Sequence, residues 1–125
     1  MAIIIVDASA IAAVAFGEPQ ADSVSDRLTG AVLVAPSLIW FELANICLKK
    51  VRRQPEDAEQ FLAGLRIALN LGIGSREVDC MAVVTLARNT GLSAYDASYL
   101  WLARELGVEL VSLDAELNEA AKSAP

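Results

Sequence analysis

Four carboxylates stand where a fold could bring them together: Asp7, Glu42, Asp96 and Asp114. Asp7 ends the apolar run Ile3-Ile4-Ile5-Val6, and a helix-prone segment from Ala10 to Phe16 follows almost at once. Glu42 lies in Leu38-Ile39-Trp40-Phe41-Glu42-Leu43-Ala44, with almost no other polar group around it. A carboxylate there either faces solvent or has a partner, because burying one alone is costly. Asn45, three residues on, shares its helical face and could orient it. The chain contains no histidine. That removes Ser-His-Asp and Cys-His nucleophiles, histidine general bases, and any zinc or iron site that relies on imidazole. Chemistry left to carboxylates implies a hard cation, Mg²⁺ or Mn²⁺.

Three of the four acids have a plainer reading, and Glu42 is harder to dismiss. Asp7 reads equally well as the N-cap of the helix behind it. Asp96 closes Ser93-Ala94-Tyr95-Asp96, which fits a capping box. Asp114 follows an apolar stretch and could cap the last helix. Topology argues against separate caps. Two carboxylates about 4 Å apart repel by roughly 4 kcal/mol at an effective dielectric of 20, so a convergent set suits a divalent cation.

The elements that must position these acids alternate in type. Strands are expected at Ile3–Val6, Val32–Ala35, weakly at 74–78, and at 108–113. Helices are expected at 10–16, 20–29, from Pro36-Ser37 to about Arg53, at 55–71, from Asp79 to Thr90, from Ser93 to Leu106, and at 114–122. Gly30, Gly72, Gly91 and Gly107 follow helix ends. Alternation of this kind predicts one α/β domain over residues 1–125, with a central, doubly wound parallel sheet of four strands and helices on both faces. Asp7 and Asp114 then sit at carboxyl ends of parallel strands, where such sheets build sites. Glu42, early in a helix leaving that edge, and Asp96, opening a helix that leads back to a strand, fall beside them.

The totals bound the rest. A chain of 125 residues is one domain's length. It is 55% hydrophobic, with a positive mean hydropathy, and surplus apolar surface points to a partner, most simply a second copy. No apolar run is long enough to cross a bilayer, and no Lys or Arg precedes Arg27, so neither a membrane span nor a signal peptide is expected. Cys47 and Cys80 form no CxxC pair and read as buried, reduced thiols of a cytoplasmic protein. Ten basic against sixteen acidic residues leave a net charge of −6, so any nucleic-acid role needs a local basic patch. The densest basic stretch is Lys49-Lys50-Val51-Arg52-Arg53, which reads either as a solvated helix end complementing the dipole or as an RNA contact. Trp40, Tyr99 and Trp101 read as core or interface residues. The helix from Ala94 to Ala103, apolar on most sides, suits burial or a dimer seam.

The sequence resembles the PIN-domain family, and within it the VapC-like toxins of toxin–antitoxin pairs. The resemblance is carried by Ile5-Val6-Asp7-Ala8-Ser9, by Pro36-Ser37-Leu38 leading to Glu42 and Asn45, by Gly91-Leu92-Ser93-Ala94-Tyr95-Asp96-Ala97-Ser98-Tyr99-Leu100, and by Leu113-Asp114. It spans essentially the whole chain, in the family's order. It implies a Mg²⁺- or Mn²⁺-dependent endoribonuclease, restrained by a cognate VapB-like antitoxin and usually dimeric, that leaves a 5′-phosphate and a 3′-hydroxyl. Its metal would rest on Asp7 and Asp96, with Glu42 and Asp114 acting directly or through water and Ser9 and Asn45 supporting them. One ion or two is left open. Relatives often run past the last helix into a further strand, whereas here the sequence reads Lys122-Ser123-Ala124-Pro125, which leaves a fifth strand open.

Three other readings compete. A catalytically silent PIN-fold module would hold a protein partner through its apolar surface, but it has no need of four mutually repelling acids. A phosphoacceptor domain would want an adjacent acidic pair and a strand-end lysine. A haloacid-dehalogenase-like phosphatase would want Asp-x-Asp where this chain has Asp7-Ala8-Ser9.

Overall fold

The computed structural model describes residues 1–123. The strands are β1 (Ile3–Val6), β2 (Val32–Pro36), β3 (Gly74–Arg76) and β4 (Glu109–Val111). They form one all-parallel sheet in the order β3-β2-β1-β4. The helices are α1 (Ala8–Ala15), α2 (Ala21–Leu28), α3 (Ile39–Arg53), α4 (Ala58–Leu69), α5 (Cys80–Thr90), α6 (Ala94–Leu106) and α7 (Ala115–Lys122).

β1 is central because its sequence is apolar on both faces. Successive side chains of a strand point to opposite sides, and Ile4, Ile5 and Val6 are all buried, so helices cover both. α6 packs on β1, β2 and β4 with α5 and α7 beside it, while α1 packs with α2, α3 and α4. Each fully buried Ile or Val contributes about 1.5–3 kcal/mol. Where α4 crosses α1, Gly64 lets the backbones meet: a Cβ there would lie 2.6 Å from the Ala15 carbonyl oxygen.

Register sets which residues leave the sheet together. Val6 lies opposite Val111, and the Asp7 N–H donates to the Val111 carbonyl at 3.3 Å. Asp7 and Ser112 therefore leave the sheet side by side.

Several boundaries differ from the sequence expectation. α1 begins at Ala8 because Asp7 caps it directly. Ser37 opens no helix: Pro36 stays in β2 opposite Arg76, the Ser37 N–H donates to the Arg76 carbonyl, and α3 starts at Ile39. The segment after Pro55 begins as a 3-10 turn, Pro55–Asp57, before α4. β3 is shorter and exposed at the sheet's edge, and β4 also ends earlier, at Val111. Cys47 is buried as expected, but Cys80 is exposed, because it sits at the open first turn of α5. α6 buries Ala97 to Leu100, Leu102 and Ala103 inside this chain, so burial accounts for its apolar character. Among the described residues the sheet has four strands. The fifth strand left open would involve Ala124 and Pro125, which lie outside them. Also among these residues, no helix is long and apolar enough to cross a membrane.

Candidate active site

Asp7 is the anchor. It is 5% exposed and accepts three hydrogen bonds: Oδ1 from the Ala10 N–H at 3.0 Å and the Ser9 hydroxyl at 2.7 Å, and Oδ2 from the Ser112 hydroxyl at 2.6 Å. The serines tie in the neighbouring strand end, since Ser9 Oγ accepts from the Leu113 N–H and Ser112 Oγ from the Asp114 N–H, each at 2.9 Å. Burial pushes the Asp7 carboxyl above its ordinary pKa, the three hydrogen bonds oppose this, and the charge of Asp114 adds to the rise.

Glu42 comes from the first turn of α3. Its Oε1 accepts from the Tyr99 hydroxyl at 2.5 Å. Burial raises its pKa, the Tyr99 bond opposes, and the charges of Asp96 and Asp7 raise it further. The Tyr99 phenol is itself pushed far upward by burial and by the Glu42 carboxylate, so it stays a neutral donor.

Asp96 occupies the first turn of α6. Ser93 caps that helix by accepting from the Asp96 N–H at 3.1 Å. Among the described residues, no side-chain hydrogen bond ties down the Asp96 carboxylate, so the capping box is only half formed. Burial raises its pKa, followed by the charges of Asp114, Asp7 and Glu116. Asp114 caps α7, its Oδ1 accepting from the Leu117 N–H at 2.9 Å. Asp7 and Asp114 are thus caps as well as members of the cluster.

All four acids line one cleft of about 290 Å³, together with Ser9, Asn45, Lys49 and Tyr99. Burial and mutual charge push three of them the same way, which a cation would relieve. Among the described residues no three acids stand already converged as a ligand set: Asp7 is held by hydroxyls and Glu42 by a phenol. A larger groove of about 660 Å³ runs beside β4, but its carboxylate, Glu109, is paired with Arg27 at 2.7 Å. The four acids share the smaller cleft.

The basic stretch divides. Lys49 lines the cleft, on the same α3 face as Glu42 and Asn45. Lys50 turns away, pairing with Glu18 at 3.8 Å and lying over the rings of Phe16 and Phe61. Arg52 and Arg53 are exposed. Two residues that hold the acids escaped sequence reasoning. Ser112 carried a signal, as the lone polar residue in Val111-Ser112-Leu113, two places before Asp114. Tyr99, read as core, has its ring there, yet its position three residues after Asp96 puts the hydroxyl on the acids' side.

The PIN domain family matches residues 4–123. The chain is 31% identical over 121 residues to Ribonuclease VapC3 of Pyrobaculum aerophilum, covering 93% of this chain and 92% of that protein. The crystal structure of PAE2754 from Pyrobaculum aerophilum aligns over 99% of this chain and 88% of that one, at 28% identity and a TM-score of 0.79. The VapC20 toxin of Mycobacterium tuberculosis, described as cleaving the sarcin-ricin loop, shares the fold at a TM-score of 0.64 and 18% identity, over 94% of each chain. With that match over nearly its whole length, the chain belongs to the PIN-domain family and is VapC-like within it.

Proposed function

We propose that this chain is a divalent-metal-dependent endoribonuclease of toxin type, restrained by a cognate VapB-like antitoxin. The observation that carries the reading is the shared cleft that Asp7, Glu42, Asp96 and Asp114 all line, in which burial works against the charge of the first three. The likeness to Ribonuclease VapC3 supports RNA as substrate.

Asp7 and Asp96 would hold one Mg²⁺ or Mn²⁺, with Glu42 and Asp114 reaching it directly or through water; a donor set of carboxylates suits a hard cation. Such a cation, when bound, offsets charge on the phosphodiester and lowers the pKa of water. The chain's own part is placement. Ser9, Ser112 and the Ala10 N–H hold Asp7 in one orientation and favour its ionised form. Asn45 faces the cleft beside Glu42. Lys49 would meet a phosphate next to the cleaved bond, with Arg52 and Arg53 further along α3. Lys50, engaged by Glu18 and two aromatic rings, is left out of that track. At a net charge of −6 the strip is what would offset general repulsion. Hydrolysis would leave a 5′-phosphate and a 3′-hydroxyl. The working form would be a cytoplasmic homodimer, a reading supported by exposed apolar side chains such as Phe41 and Met81.

The test is RNA cleavage with Mg²⁺ or Mn²⁺, with EDTA, and with Asp7→Asn or Asp96→Asn. Residues behind metal ligands are worth about 10–100-fold, so loss of a ligand should cost about 100-fold or more. Equal cleavage by wild type and both variants would sink the proposal.

A further inference from the structure

We propose that Tyr99 is a positioning residue for Glu42: a neutral phenol that fixes one carboxylate oxygen and leaves the other oxygen, and the full negative charge, for a divalent cation. This rests on the metal-dependent reading above.

Three observations carry it. First, Glu42 lacks the backbone anchor that Asp7 and Asp114 have. Asp7 and Asp114 are each held by a backbone N–H at a helix start, whereas the hydrogen bond that holds Glu42 among the described residues comes from Tyr99. Second, the donor is rigid. The Tyr99 ring is 1% exposed and packed in the core, with its hydroxyl 2.5 Å from Glu42 Oε1. A buried ring with two torsions has little room to follow a wandering carboxylate. Third, the site does not neutralise itself. The ion pairs of the described residues join Arg27 to Glu109, Lys50 to Glu18 and Lys122 to Glu119, and none reaches an acid of the cleft. An ammonium in place of the phenol would hold Glu42 equally well but cancel its charge. A phenol satisfies the hydrogen bond and leaves the charge.

Asp96 and Tyr99 lie three residues apart on α6, and both line the cleft. One turn of one helix therefore presents an acid and the group that places another acid, so motion of that turn would shift both together.

A buried tyrosine hydroxyl commonly finds a partner for its own sake, and on that view Tyr99→Phe would alter stability alone. The test measures Mn²⁺ affinity by electron paramagnetic resonance, and RNA cleavage, for wild type, Tyr99→Phe, Glu42→Gln and the double variant. Tyr99→Phe should bind Mn²⁺ about tenfold more weakly and lose kcat by a similar factor. In the Glu42→Gln background the same change should shift Mn²⁺ affinity less than about twofold, since no carboxylate remains to be placed. Wild-type Mn²⁺ affinity in Tyr99→Phe, or equal losses in both backgrounds, overturns the assignment while leaving the nuclease reading intact. A wild type that neither binds Mn²⁺ nor cleaves RNA overturns both. Should Tyr99→Phe not fold, Tyr99→Met carries the same test, because it fills the site without a hydroxyl. About a tenfold loss of Mn²⁺ affinity is then expected, absent in the Glu42→Gln background, and unchanged affinity refutes the role.

Discussion

Ser112→Ala removes a single oxygen, and that oxygen makes two short bonds at once, beside a longer contact of 3.5 Å with Ser9 Oγ. Oγ donates to Asp7 Oδ2 at 2.6 Å and accepts from the Asp114 N–H at 2.9 Å. The side chain is 3% exposed, so water does not readily take its place. A hydrogen bond to a charged group contributes about 1.5–3 kcal/mol, and a stranded polar group costs about 1 kcal/mol or more. The metal-free protein should therefore lose about 2–4 kcal/mol. At roughly 4 °C per kcal/mol for a chain of this size, Tm should fall by about 8–16 °C. Urea unfolding in EDTA at pH 7, followed by circular dichroism, reads the loss as a shifted midpoint at constant slope. Ser9→Ala is the comparator: it removes an equivalent pair of bonds, but Ser9 is only half-buried and water can partly replace it. In an Asp7→Asn background the Ser112 loss should shrink, because the bond is no longer charge-assisted. A loss below about 0.5 kcal/mol for Ser112→Ala would refute the view that this serine clamps two strand ends.

Two further predictions concern the metal-free protein. Its stability should decline as pH rises above about 4, because the folded-state pKa values of Asp7, Glu42 and Asp96 are raised, chiefly by burial, above their ordinary 3.8 or 4.5. Between the ordinary and raised values the native chain keeps protons that the unfolded chain has released, so each proton costs up to about 1.4 kcal/mol per pH unit. Their contribution is full below the unfolded pKa values and gone once pH passes the folded ones. Glu42→Gln should flatten the decline and leave stability at pH 7 equal or higher; a large loss in urea unfolding at pH 7 would make Glu42 a structural residue. Gly64→Ala would place a methyl 2.6 Å from the Ala15 carbonyl oxygen and 2.8 Å from Phe16 Cδ1. Helix preference favours alanine by about 1 kcal/mol, while overpacking against backbone costs about 1–3 kcal/mol. Tm should fall, and a rise would show that the two helices can separate without cost.

The sequence was most legible where chemistry is local. Asp79 and Ser93 cap their helices, and Gly91 and Gly107 take the left-handed conformation at helix ends, at φ of 78° and 66°. Those features depend on a few consecutive residues. The parallel sheet and the common edge followed from alternation of strand and helix, a rule about connections, whereas the strand order β3-β2-β1-β4 did not. Ser37 was misread because Pro36 pairs with Arg76 across the sheet, which no local pattern reveals. Ser112 and Tyr99 were missed for the same reason: their partners lie 105 and 57 residues away. Lys49 and Lys50 are neighbours in sequence, yet the turn of the helix sends one to the cleft and the other to Phe16.

The clamp between Ser112 and Asp7 also sets a clock. The two residues are 105 positions apart, and at about 5–20 residues per second a ribosome needs roughly 5–20 s to travel from one codon to the other. Through that interval β1 and Asp7 exist while β4, Ser112 and Asp114 do not. A nascent chain that has made Asp7, Glu42 and Asp96 still lacks the strand that orders the first and supplies the fourth. Of the site's parts, the last to be translated is the end that locks the first.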